Sequence, residues 1–384
     1  MNKKAVIVLG THRSGTSTAS GILYTLGLDL GNAVMGGNDC NPRGFFENYR
    51  IMFYNEDLLC KLHANWHNTV VLPIDWWKSD EIRAEIDRLK NLILDDYRSD
   101  APLLFKDPRM CILLPVYLEV FKQLEIEPFF VLAYRNPLEV TESLQKRDGF
   151  SHDKSIRIWL DHMLKAEKYS RQYPRIFIDF GDILVDPLSL PEKIHSFFPP
   201  EIQIRTGIRE KILQFVEPEL NHYIGIRDPE SLAYDADRMG IFELFRQFVH
   251  RQDTSVDHEY LDGYSSMFYN TYNSAAWPKI SVLMMAGNEP AALEKTIVNV
   301  VTQDYPDLES ILIWSDPAMA VQAVIEKYRH LVSICVSEQG YGLADARNRG
   351  IEQASGKWKI LMEAGEAFFR QSSLTELVGR REQS

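Results

Sequence analysis

The chain has 384 residues, 45% of them hydrophobic, 11% aromatic and 25% charged, with a formal net charge of −12. That length exceeds the usual span of one hydrophobic core, so two domains are expected, and the composition excludes a wholly disordered, fibrous or membrane-embedded chain. The acidic balance argues against general affinity for nucleic acid or anionic lipid, which need a basic face; an anionic ligand would have to be held by local groups.

Four cysteines, Cys40, Cys60, Cys111 and Cys335, are far apart, with neither CxxC spacing nor the density of a disulfide scaffold, which points to a reducing, cytoplasmic setting. The N-terminal MNKKAVIVLGTHR carries too short an apolar run for a signal peptide, and no stretch approaches the roughly 20 apolar residues that span a bilayer. Ala5 to Leu9 is instead a continuous apolar run rich in β-branched residues and ending at Gly10, as in a parallel strand covered on both faces. A helix is expected from Thr16 to Leu26, stopped by Gly27. Strands at Leu103–Phe105, Phe129–Tyr134 and Ile176–Phe180 alternate with helical stretches at Ser79–Tyr97 and Lys154–Gln172, which implies a parallel α/β sheet flanked by helices. From Ile226 to Trp277 the chain turns acidic, Tyr-rich and helix-biased. A second strand–helix alternation follows: strands Ile280–Met285, Ile311–Trp314, Val332–Val336 and Trp358–Met362, with helices Ala291–Thr302, Ala318–Tyr328 and Gly342–Ala354. The expected domains are therefore residues 1–225, a helical connecting subdomain at 226–277, and a second, partial α/β unit at 278–384.

Gly10-Thr11-His12-Arg13-Ser14-Gly15-Thr16-Ser17 lies between a buried strand and a helix, where backbone N–H groups and the helix dipole favour an anion. A nucleoside-triphosphate loop, GxxxxGK[ST], would carry lysine where Thr16 stands; the positive charge lies at Arg13 instead. A second set follows the Phe129–Tyr134 strand: Arg135-Asn136-Pro137, with Ser143 eight residues beyond Arg135. Pro137 suits the first turn of a helix, which would carry Ser143 while Arg135 stays at the strand end.

The stretch VLGTHRSGTSTASGIL, from Val8 to Leu23, resembles the 5′-phosphosulfate loop of sulfotransferases that use 3′-phosphoadenosine 5′-phosphosulfate (PAPS), especially the bacterial and tyrosylprotein-type branch with its RSGT core. Arg135 with Ser143 resembles that family's Arg-x7-Ser 3′-phosphate site. The resemblance implies a P-loop-like fold and PAPS as co-substrate, with the 5′ end held by Arg13, Ser14, Gly15, Thr16 and Ser17 and the 3′-phosphate by Arg135 and Ser143. It implies in-line sulfuryl transfer to a hydroxyl, for which no metal is required. Lys106, in Phe105-Lys106-Asp107-Pro108-Arg109, faces the ligand edge of the sheet and would neutralise the equatorial oxygens; Arg13 is the expected cation at the bridging oxygen. An alcohol acceptor also needs a proton acceptor. Glu47, within Asn41-Pro42-Arg43-Gly44-Phe45-Phe46-Glu47-Asn48, is the first candidate, and Asp107 the second, with an orienting role on Lys106 as its other reading.

Residues 278–369 resemble the nucleotide-binding half of family-two glycosyltransferases in ISVLMMAGNEP, TIVNVVTQDYPDLESILI and GLADARNRGIEQASGKWKILM. Trp314 and Ser315 replace an expected Asp pair, and Glu363-Ala364-Gly365-Glu366 replaces the DxD-type metal site, so a non-catalytic remnant or the end of a truncated protein is expected. Such an attachment inclines the acceptor toward a saccharide or glycolipid. His63-x3-His67 could place two rings on one helix face but lacks the HExxH glutamate, and Trp76-Trp77 read as packing. Two other classes stay open: a small-molecule kinase with an aberrant P-loop, and a nucleotide- or glycan-binding protein without turnover. Nothing in the sequence sets an oligomeric state.

Overall fold

A computed structural model describes residues 3–37, 44–69, 71–195, 206–216, 236–252, 254–272, 275–315, 317–337 and 343–379. Cys40, the Asn41-Pro42-Arg43 stretch, Gly342 and residues 217–235, which hold the expected junction near 225, lie outside the described residues. Two compact units form: Met1–Asn55 with Ile74–Ser143 and Trp159–Gly263, and Glu56–Pro73 with Leu144–Ile158 and Tyr264–Ser384. Both are α/β, each with a four-stranded parallel sheet flanked by helices. Among the described residues no helix is long and apolar enough to cross a membrane.

The first sheet consists of β1 (Lys3–Leu9), β2 (Leu103–Lys106), β3 (Ile126–Tyr134) and β4 (Arg175–Asp179), in the order β2-β1-β3-β4. Ala5 to Leu9 of β1 are wholly buried, as their unbroken apolar run requires of a central parallel strand. Register pairs Val8 with Lys106 on one side and Leu9 with Leu132 on the other, so the loops after β1, β2 and β3 emerge at one carboxyl edge. The chain changes sides of β1 between β2 and β3, making the crevice beside β1 the switch point where open α/β sheets take ligands. The helix Thr16–Thr25 buries Ala19, Ile22 and Leu23 against Val6, Val8, Leu104 and Val131 and stops at Gly27, whose φ is 97°.

Two local differences from the sequence reading have physical causes. Phe180 opens the helix Phe180–Val185 rather than ending a strand, because the Asp179 carboxylate caps the turn, accepting from the N–H groups of Gly181 (2.6 Å) and Asp182 (3.2 Å). The unexpected helix Met110–Gln123 is buried around most of its circumference and therefore lacks an amphipathic period.

The second sheet consists of β5 (Ile280–Met285), β6 (Leu308–Trp314), β7 (Ile334–Ser337) and β8 (Trp358–Glu363), in the order β7-β6-β5-β8. Residues from far earlier in the chain complete this unit. Trp66 Nε1 donates to the His330 carbonyl and His67 Nε2 meets that of Leu331, each at 2.9 Å, while the buried Lys154 ammonium donates to the Val301 carbonyl at 2.6 Å and that of Gln303 at 3.2 Å. The helix before His63 ends at Lys61, and His63 takes a left-handed φ of 49°. His63 and His67 therefore do not share a helix face: His63 Nδ1 faces Glu309 at 3.2 Å, and His67 is buried, with its pKa held well below the usual value by desolvation.

Candidate functional site

The loop between β1 and its helix is shaped by contacts that only certain residues tolerate. Ser14 closes it, its Oγ donating to the Thr11 carbonyl at 2.7 Å. Gly15 has φ 88°, and a Cβ there would stand 2.3 Å from the Phe180 ring; Gly10 has φ 149°, and a Cβ there would stand 2.8 Å from the Ala133 carbonyl oxygen. Arg13 is left-handed at φ 69° despite carrying a side chain, a conformation that its surroundings must hold. Below the loop, the Gly10 N–H lies 3.3 Å from the sulfur of Cys111, whose thiol burial pushes up to about 12.

The two expected phosphate sets meet. Arg13 Nε donates to Ser143 Oγ at 2.7 Å, and an Arg135 terminal N–H donates to the Arg13 carbonyl at 2.9 Å. Ser143 is buried on the helix Pro137–Asp148, and Arg135 sits between the end of β3 and that helix, where Pro137 begins it. The Arg135 guanidinium also lies 4.8 Å over the Phe180 ring and 2.9 Å from Glu139.

A buried ion pair flanks this cluster. The Lys106 ammonium, at the end of β2, reaches Ser17 Oγ at 3.1 Å, the Phe45 carbonyl at 3.1 Å and Glu47 Oε1 at 2.5 Å. Burial pushes the Glu47 carboxyl up, the Lys106 charge opposes it, and the Asp107 charge pushes the same way as burial. Asp107 is fully buried but is otherwise engaged: Oδ1 accepts from the Arg109 guanidinium at 3.0 Å and Oδ2 from Asn55 Nδ2 at 3.0 Å. Asn55 in turn accepts from the Tyr117 hydroxyl at 2.6 Å. Thr16 is buried at the first position of its helix. Glu139, Phe180, Asn55 and Arg109 have no role in the sequence reading; the spacings from Arg135 to Glu139 and from Asp107 to Arg109 were local signals for two of them.

In the second unit, Glu363 ends β8 and Gly365 turns with φ 101°. The Glu366 carboxylate caps that turn, accepting from the Glu363 N–H at 2.7 Å, while Thr296 Oγ1 accepts from the Gly365 N–H at 2.9 Å. Trp314 ends β6.

This second α/β unit defines the part of the chain with a family match: residues 281–383 match glycosyl transferase family 2. Comparison with curated proteins finds no match. Among solved structures, the chain is similar to the mannosyltransferase PcManGT of Pyrobaculum calidifontis, solved with GDP-Man and Mn²⁺ (26% identity, 26% of this chain, 31% of that one, TM-score 0.24). It is also similar to the sulfotransferase domain of the Synechococcus PCC 7002 olefin synthase (17% identity, 64% of this chain, 94% of that one, TM-score 0.38). A third is the sulfotransferase STF1 of Mycobacterium tuberculosis H37Rv (12% identity, 65% of this chain, 77% of that one, TM-score 0.34). The chain thus spans less than a third of the mannosyltransferase's length.

Proposed function

We propose that the first unit is a sulfotransferase that takes its sulfuryl group from PAPS and delivers it to a hydroxyl acceptor. The observation that carries this reading is the joining of Arg13, Ser143 and Arg135 at the carboxyl edge of β1 and β3, which brings two separate sequence motifs into one cluster of guanidinium and hydroxyl groups. Its donors suit the nucleotide: guanidinium groups, hydroxyls and helix N-terminal N–H groups, in a loop with no acidic side chain and with glycines where a Cβ would clash. When bound, PAPS supplies a sulfuryl group on a phosphate leaving group. Arg13 and the loop N–H groups stabilise charge developing on that phosphate, and Arg135 with Ser143 binds the 3′-phosphate. Lys106 is held at the sheet edge to neutralise the transferred oxygens. Glu47 receives the acceptor's proton; Lys106 occupies Oε1, so the proton passes to Oε2. Asp107, with both oxygens engaged, serves as a positioning group in this account.

The attached unit carries the glycosyltransferase-like residues, and its presence favours a saccharide or glycolipid acceptor. Two measurements test the reading. Calorimetry should give far tighter binding of adenosine 3′,5′-bisphosphate than of ADP, and Arg135→Ala should remove that preference. Labelled PAPS offered to saccharide, lipid, phenol and peptide acceptors should label one class. Equal affinity for the two nucleotides would overturn the 3′-phosphate site, and Mg²⁺-dependent phosphoryl transfer from ATP would favour a kinase instead.

A further inference from the structure

We infer that Glu139 is a positioning residue that sets the direction of the Arg135 guanidinium and, through it, the backbone of the phosphate loop. The inference rests on the sulfotransferase reading and extends it to a residue that reading does not use. Glu139 lies one turn beyond Arg135, in the first turn of the helix Pro137–Asp148, and its Oε2 accepts from Arg135 Nε at 2.9 Å. Both side chains are largely buried, at 7% exposure for Arg135 and 16% for Glu139.

A guanidinium is a rigid planar fork, so fixing Nε fixes where its remaining N–H groups point. One of them meets the Arg13 carbonyl at 2.9 Å, restraining a residue held at φ 69°. The flat face lies 4.8 Å over Phe180, whose ring stands where a Cβ on Gly15 would fall. Phe180 is itself fixed at the start of a helix capped by Asp179. Glu139, Arg135, Arg13 and Phe180 thus form one brace around the loop.

A carboxylate beside a phosphate site also repels the ligand, so two accounts of Glu139 make opposite demands. If repulsion dominates, charge matters and reach does not. If positioning dominates, reach matters most. Glu139→Gln keeps the reach and removes the charge; Glu139→Asp keeps the charge and withdraws the carboxylate by one methylene.

Calorimetry on the full chain, with adenosine 3′,5′-bisphosphate and ADP as probes, separates them. The expected result is near-normal affinity and selectivity for Glu139→Gln, with the preference for the bisphosphate falling roughly tenfold in Glu139→Asp, as for loss of a charge-assisted hydrogen bond. Tighter bisphosphate binding by Glu139→Gln together with unchanged binding by Glu139→Asp would overturn the inference, as would two variants indistinguishable from the parent. Failure of the underlying reading is separately visible: the unmodified protein would then bind the two nucleotides equally, and the inference would fall with it.

Discussion

Lys106 Nζ lies 2.5 Å from Glu47 Oε1, and both side chains are almost closed to solvent. Breaking such a pair strands a buried charge, which typically costs about 3–5 kcal/mol. Lys106→Met should therefore lower stability by about that amount, and adding Glu47→Gln should recover much of the loss; urea denaturation measures both. A double variant no more stable than Lys106→Met would show that the pair is not what holds this segment.

The same pair sets a pH dependence. The Glu47 carboxyl is raised above its ordinary 4.5, chiefly by burial and against the pull of Lys106. A base must be ionised, so kcat/KM should fall as pH is lowered through a value above 4.5. Glu47→Gln should bind adenosine 3′,5′-bisphosphate normally, turn over roughly 10² to 10⁴ times more slowly and lose that acid limb. Near-normal turnover in Glu47→Gln, with loss in Asp107→Asn, would move the base to Asp107.

Gly15→Ala should disable the loop by two routes. Its φ of 88° disfavours any side chain, and the new Cβ would sit 2.3 Å from the Phe180 ring. Destabilisation of roughly 1–3 kcal/mol and a clear loss of nucleotide affinity are expected. Adding Phe180→Ala should relieve the clash but not the backbone strain, so recovery should be partial. Full recovery of stability would mean that the backbone conformation carries no cost.

Lys154 gives the second unit a different pH signature. Its ammonium is fully buried and its pKa is lowered to about 7, mainly by desolvation. Between there and the ordinary 10.5 the unfolded chain binds the extra proton, so the stability from this group rises with pH across that window. Lys154→Met should flatten the rise, measured as urea midpoints at pH 7 and pH 9. A slope unchanged in the variant would show that another group titrates.

The glycosyltransferase-like unit should show no Mn²⁺-dependent turnover of nucleotide-sugars. The Glu366 carboxylate is spent on its own turn, and Trp314 and Gly365 offer no carboxylate. The assay needs the full chain, because this unit is completed by Glu56–Pro73 and Leu144–Ile158. Release of nucleotide diphosphate that depends on added Mn²⁺ and is abolished by Glu363→Ala would defeat the expectation.

The sequence by itself determined what short-range physics controls. An unbroken apolar run rich in β-branched residues and ending at Gly10 reads as a covered strand, and the glycine-bounded loop before Thr16 reads as the entry to a helix; both elements form. Pro137 likewise placed Ser143 on the helix that follows the strand ending at Tyr134. Tertiary structure alone decided which of these pieces meet. Strand order brought Arg135 to the carbonyl of Arg13, 122 positions earlier, and Lys106 to Glu47, 59 positions earlier. It also gave Asp107 to Arg109 and Asn55 rather than to Lys106, and it built the second sheet's supports from residues near 66 and 154. Backbone periodicity and turn chemistry are local and readable along a chain. The pairing of charges is set by which strand ends share an edge, and a single sequence carries no spacing that encodes it.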